Sequence, residues 1–169
     1  MGYRLSIKKG VTPLPNEDWL ENLVARELLQ GQTVRICRDD KGKPFVKEPL
    51  GHFVSGSDSG RYVAAVVFTR PIGVDIECRK KRAPELLIAI TDAAERSQLK
   101  AHGVDALLAA WTAKESAQKA DTEIHDMNDY KITLDKNDLA TFKIRRGSSE
   151  WRGLWRFEND YICALAIQQ

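Results

Sequence analysis

The chain has 169 residues, 43% hydrophobic and 30% charged, the balance of a globular protein long enough to bury a core without disulfide or metal staples. A net charge of +2 gives no electrostatic case for nucleic acid as a partner, and the longest apolar run, Tyr62 to Phe68, is too short to span a membrane. Met1 to Gly10 carries no signal-peptide pattern, and Cys37, Cys78 and Cys163, without metal-ligand spacing, fit a reducing, cytoplasmic setting.

In chain order, the alternation in YRLSIKK predicts a strand. Pro15 and Asn16 signal the start and Gly31 the stop of a helix whose apolar stripe is Trp19, Leu20, Leu23, Val24 and Leu28. TVRIC predicts a second strand, and RDDKGKP a turn in which Asp40, Gly42 and Pro44 supply the backbone conformations. FVKEPLGHFVSGSDSGR reads as a loop with a short extended piece near Phe53. YVAAVVF predicts a buried strand, and VDIE another after the bend TRPIG. APELLIAI and DAAERSQLKAHG predict helices, with Thr91 and Asp92 as caps. VDALLAAWTAKESAQKA, rich in Ala and Leu and free of Gly and Pro, predicts the strongest helix of the chain. YKITL, LATFKIRR, EWRGLWRFE and YICALAIQ predict a closing meander of strands, so the class is α+β with largely antiparallel sheets.

GVDIE sets Asp75 and Glu77 on one face of a strand, because residues two apart point the same way. Side-by-side negative charges need compensation. On the strong helix, Trp111, Glu115 and Lys119 are four apart and share a face. Packed across the strand, that helix brings Glu115 beside Asp75 and Glu77. Three carboxylates suit Mg²⁺, which takes oxygen ligands, keeps waters and binds phosphates. Lys119, one turn on, then meets phosphate oxygens. From residue types alone this is metal-assisted phosphoryl chemistry.

GVDIE followed by WTAKESAQK, Trp111 to Lys119, resembles the 4'-phosphopantetheinyl transferase superfamily. That family carries Gly-hydrophobic-Asp-x-Glu and then Trp/Phe-x-x-Lys-Glu-Ser/Ala-x-x-x-Lys. ITDAAERSQL, with Glu95 in register, GKP at Gly42 to Pro44, and NDYICALAI resemble its supporting segments. The resemblance implies a fold of two pseudo-symmetric α+β lobes with antiparallel sheets and a long helix. The first lobe, residues 1–70, is abbreviated; the second, 71–169, carries the transfer motifs. It also implies transfer of the phosphopantetheine arm of coenzyme A to a serine of an apo acyl or peptidyl carrier protein, releasing adenosine 3',5'-bisphosphate. Asp75, Glu77 and Glu115 are then the ligands of Mg²⁺, for which Mn²⁺ is a substitute. Asp75, Glu115 and Lys119 are the catalytic set, and the general base is Glu115 or a metal-bound water. Lys43, Pro44, Ser57, Asp58, Ser59, Arg61, Lys114 and Lys119 are the coenzyme A contacts, with Lys114 reaching phosphate from the other side of the helix.

One departure concerns the coenzyme. Larger members carry Phe-Asn-x-Ser-His-Ser, whose histidine helps bind phosphate; in VSGSDSGRYV, Asp58 takes that position and repels phosphate. His52 and Arg61 are the candidate replacements, and Arg35, Arg38 and Lys41 supply basic groups on the hairpin. The alternatives are a degenerate, non-catalytic relative that binds carrier protein or nucleotide, and an unrelated Mg²⁺-dependent phosphohydrolase.

Overall fold

A computed structural model describes residues 2–10, 19–79, 85–123, 125–135 and 137–169. The expected helix-start signals, Pro15 and Asn16, lie outside the described residues. The first part of the chain gives strand β1 (Arg4–Lys9), helix α1 (Trp19–Leu23) continued by a π-helical turn over Val24–Leu28, and strands β2 (Arg35–Arg38), β3 (Pro44–Glu48), β4 (Phe53–Ser59) and β5 (Tyr62–Phe68). The second part gives β6 (Ile72–Cys78), helices α2 (Glu85–Ile90), α3 (Ala93–Leu99) and α4 (Ala106–Ala120), and the meander β7 (Lys131–Asp135), β8 (Asp138–Arg146), β9 (Ser149–Phe157) and β10 (Tyr161–Gln168). Among the described residues, no helix is long and apolar enough to cross a membrane.

The strands form a three-stranded sheet β1-β5-β4, a five-stranded sheet β6-β10-β9-β8-β7 and a ribbon β2-β3, with every described pairing antiparallel. The α+β expectation is met. β5 shows why its run is continuously apolar. Ala65 and Val67 face α1 and its π-turn, through Leu20, Val24 and Leu28, while Ala64 and Val66 face Val74, Ile76 and Leu165 of the larger sheet. A strand buried on both faces has no side on which polar residues are favoured. A third core fills the far face of the larger sheet, where α4 packs on Ile162, Ala164, Trp151 and Trp155.

The expected loop over residues 45–61 is instead two strands, most of β3 and all of β4. β3 buries only Val46 in a two-stranded ribbon. β4 turns Ser55 and Ser57 inward where most strands present aliphatic groups. Neither leaves the apolar alternation by which a strand is read from sequence.

α4 approaches β6 closely because it presents alanines, Ala113, Ala117 and Ala120, to the sheet. At Gly73 the backbones almost touch. A Cβ there would overlap the Ser116 carbonyl oxygen and lie 2.7 Å from the Ala120 nitrogen. The glycine of GVDIE is thus a packing requirement, and the approach it permits sets Glu115 and Lys119 over the strand that carries Asp75 and Glu77.

At the start of α3, Asp92 caps the helix in a capping box: its side chain accepts from the Glu95 amide, and Glu95 accepts from the Asp92 amide. Thr91, the other expected cap, supplies its carbonyl to Arg96.

Candidate active site

Asp75 is buried in the middle of β6, and its Oδ1 accepts from Ser57 Oγ at 2.8 Å and Lys119 Nζ at 2.7 Å. The Lys119 ammonium also donates to Ser57 Oγ at 3.0 Å. Glu77, two residues on, accepts from Ser59 Oγ at 2.8 Å. The like charges on this strand face are therefore answered within the protein: one cation sits on Asp75, and one serine hydroxyl of β4 sits on each carboxylate. Asp75 Oδ2 is buried without a hydrogen-bond partner. An ionised carboxylate oxygen left this way is costly unless something else meets it.

Glu115 is half-buried on α4, and its carboxyl is pushed above the usual glutamate range. Burial is the largest cause; Asp75 adds to it, Lys119 opposes it, and Glu77 raises it further. Its charge is thus felt by both β6 carboxylates, as the helix-over-strand packing requires.

The donor chemistry fits Mg²⁺. The oxygens are hard carboxylate donors, and Asp75 Oδ2 is a buried acceptor with a vacant lone pair. Among the described residues, no three His, Cys, Asp or Glu side chains are gathered into a ready-made ion cage. Lys119 pairs with Asp75.

A cleft of about 360 Å³ opens beside these groups. Glu115, Gln118 and Lys119 of α4 form one wall, and Arg38, Lys41, Lys43 and Pro44 of the β2–β3 hairpin form the other. The turn orders itself: Asp39 Oδ1 accepts from the Lys41 and Lys43 amides, and Arg38 Nη1 donates to the Gly42 carbonyl at 3.0 Å. Lys43 reaches across to the Asp121 carbonyl at the end of α4. Burial lowers its affinity for the proton, an effect that Asp121 and Asp39 oppose. A second, adjoining cleft of about 260 Å³ shares Lys43, Pro44 and Lys119 and adds Phe45, His52 and Phe53. The pair of clefts offers a cationic strip leading from the carboxylates to an aromatic-lined recess, suited to a phosphorylated ligand with a planar or apolar end.

Several residues expected at the ligand stand elsewhere. Lys114 points away from the cleft and is fully buried. Its Nζ pairs with Glu95 at 3.0 Å and donates to the Ile90 carbonyl, because Lys114 lies on the face of α4 that packs against α2 and α3. Arg61 sits in the β4–β5 turn and pairs with Asp160 at 3.1 Å. Asp58 is exposed on β4, on the face opposite Ser57 by strand alternation. Ser57 and Ser59 are committed to the β6 carboxylates. The serine spacing Ser57-x-Ser59 matches Asp75-x-Glu77, and that shared period of two was the available sign that the strands lie side by side.

A family model described as 4'-phosphopantetheinyl transferase superfamily matches residues 71–166, more than half of the chain. The match begins one residue before β6 and covers Asp75, Glu77, Glu115 and Lys119. No curated protein matches the chain.

Proposed function

Because the chain belongs to the 4'-phosphopantetheinyl transferase superfamily, with the transfer activity that this implies, we propose that it moves the 4'-phosphopantetheine arm of coenzyme A onto a serine of an apo acyl or peptidyl carrier protein. The observation that carries this reading is the single cleft in which Glu115 and Lys119 face Arg38, Lys41 and Lys43. A general base beside a lysine, opposite further cations, is what a phosphate-rich donor and a weak hydroxyl nucleophile together require. Membership in this superfamily sets aside an unrelated phosphohydrolase.

Asp75, Glu77 and Glu115 are the residues that would hold Mg²⁺. When bound, the ion neutralises charge on the pyrophosphate. Lys119 and Lys43 bind phosphate oxygens, and Arg38 and Lys41 take the place left by the missing histidine of the larger family members. The serine oxygen of the carrier forms a bond to the phosphorus bearing the pantetheine arm. The bond from that phosphorus to the oxygen bridging toward adenosine breaks, and adenosine 3',5'-bisphosphate leaves with the bonding electron pair. Glu115 takes the serine proton, directly or through a water. A cytoplasmic setting, where apo carriers and coenzyme A meet, belongs to the same proposal.

A non-catalytic relative is the second reading, favoured by the Lys119 ammonium that already neutralises Asp75. The two part in one experiment. The protein is incubated with coenzyme A, Mg²⁺ and a panel of apo carrier proteins, and each carrier is weighed by mass spectrometry. A phosphopantetheine increment on a carrier serine is the expected result. Coenzyme A binding without an increment on any carrier would select the second reading.

A further inference from the structure

Ser55, Ser57 and Ser59 of β4 are two apart and share one strand face. Each hydroxyl has one proton to give and lone pairs with which to accept. Ser57 gives its proton to Asp75 Oδ1 at 2.8 Å. Ser59 accepts from the Cys78 amide at 3.1 Å and gives its proton to Glu77 at 2.8 Å. Ser55 accepts from the Val74 amide at 3.1 Å, yet no acceptor among the described residues takes its proton. Ser55 is only 3% exposed. A buried donor without an acceptor is costly, and native structures rarely keep one without a use.

The unmatched proton lies in the wall of the cleft. Val54, Ser55 and Gly56 line it together with Glu115 and Lys119 of α4 and the cations of the hairpin. Val54 belongs to the core beneath α1. Gly56 has no side chain, and a Cβ there would stand 2.9 Å from Trp19 and Leu20. Ser55 is therefore the side-chain donor that β4 can bring to the cleft. Its neighbours place it at the Lys119 end: Ser57, one strand period on, receives Lys119 Nζ at 3.0 Å, and Val74 directly precedes Asp75. An acceptor that enters beside a lysine and opposite Arg38, Lys41 and Lys43 is an anionic oxygen. Resting on the coenzyme reading above, we infer that Ser55 is a ligand-binding residue whose hydroxyl donates to a phosphate oxygen of the coenzyme A pyrophosphate. The Val74 amide then donates to Ser55 and Ser55 to the ligand, a chain in which each bond strengthens the other.

The test is calorimetric titration, in EDTA, of wild type, Ser55→Ala and Ser55→Thr with coenzyme A and, separately, with inorganic pyrophosphate. Ser55→Ala loses a hydrogen bond to a charged acceptor, so both ligands should bind about 10-fold more weakly. Ser55→Thr keeps the hydroxyl and should bind both as wild type does. Unchanged affinities in a Ser55→Ala protein whose melting temperature alone falls would overturn the inference and leave Ser55 as a partner of Val74 only. Weaker coenzyme A binding with pyrophosphate binding unchanged would also overturn it, because the contact would then lie elsewhere on the ligand. A wild type that binds pyrophosphate but not coenzyme A would remove the coenzyme reading, while a loss of pyrophosphate in Ser55→Ala would still support the serine as a phosphate donor. A wild type that binds neither would remove both. If Ser55→Ala does not fold, the Val74 amide of wild type, followed by nuclear magnetic resonance, carries the same question. Pyrophosphate should move its proton downfield as Ser55 becomes a better acceptor, and a resonance unmoved at saturation would overturn the inference.

Discussion

Asp75 shows how a buried charge is kept. Its Oδ1 has two donors, and one of them is a lysine at 2.7 Å. Removing one partner of a buried ion pair leaves the other uncompensated, which costs about 3–5 kcal/mol; Lys119 is partly exposed, so the lower end applies. Lys119→Ala is therefore expected to lose about 3 kcal/mol of stability, read by urea denaturation, as well as transfer activity. Glu115→Gln separates the two. It removes a carboxyl that burial and Asp75 already disfavour as an anion, so stability at neutral pH should hold or rise. The kcat for transfer should fall at least ~100-fold, the usual contribution of a positioned base. A Gln variant that transfers normally would take the base assignment from Glu115. On the hairpin, Arg38→Ala with Lys41→Ala should raise the KM for coenzyme A about 10-fold or more and leave the KM for the carrier in place, since only the coenzyme carries phosphates to this wall.

At the scale of elements, the site exists because α4 lies against β6. That contact tolerates no side chain at position 73. Gly73→Ala places a methyl group in the α4 backbone, where no rotamer change relieves it. A loss of about 3 kcal/mol or more is expected, with activity falling together with the folded fraction in a thermal melt. The end of α4 is fixed by a second buried charge. Asp121 Oδ2 accepts from Arg146 Nε and from the Tyr130 hydroxyl, each at 2.9 Å. Burial alone would raise its carboxyl; the bonds from Arg146 and Tyr130 outweigh it and hold the group below the usual range. The folded value thus lies under the unfolded value of about 4, so the native state binds fewer protons in that window. The stability this confers is present above pH ~4 and is lost as pH falls through the folded value. Asp121→Asn should flatten the acid limb of a stability-against-pH curve and leave the rest in place. The Asp121 carbonyl also receives Lys43, so the hairpin wall of the cleft is tied to this same helix end.

At the scale of the whole molecule, the two sheets share a core. Tyr62, Ala64 and Val66 of β5 meet Ile72, Val74, Ile76, Cys163 and Leu165 of the larger sheet. A fragment of residues 71–169, the part that contains all three carboxylates, would expose that apolar face together with the β6 edge. It is expected to bind a hydrophobic dye and to aggregate on size-exclusion chromatography. A monodisperse, cooperatively melting fragment would contradict the shared-core reading. The packing thus ties residues 1–70 and 71–169 into one core and one cleft.

The sequence alone determined the elements whose patterns are local. The apolar runs of β5 and β10, the Ala-rich α4 and the alternation in β7 and β8 follow from side-chain periodicity, because burial on one or two faces imposes it residue by residue. It also determined which carboxylates share a strand face and which residues share a helix face, since both are fixed by the geometry of one element. β4 was not legible, because its buried face is serine. Its strand character comes from pairing with β5 and from the polar edge of β6 that the serines cap. Only the tertiary structure decided which cations serve the cleft. Lys114 and Lys119 stand on one helix within five residues, yet one is sealed against Glu95 and the other sits on Asp75. Arg38 and Lys41 reach the site only because a hairpin from the first part of the chain folds over a helix from the second. Charge composition is a property of the chain, but the partner of each charge is chosen by contacts between residues far apart in sequence, which no local pattern encodes.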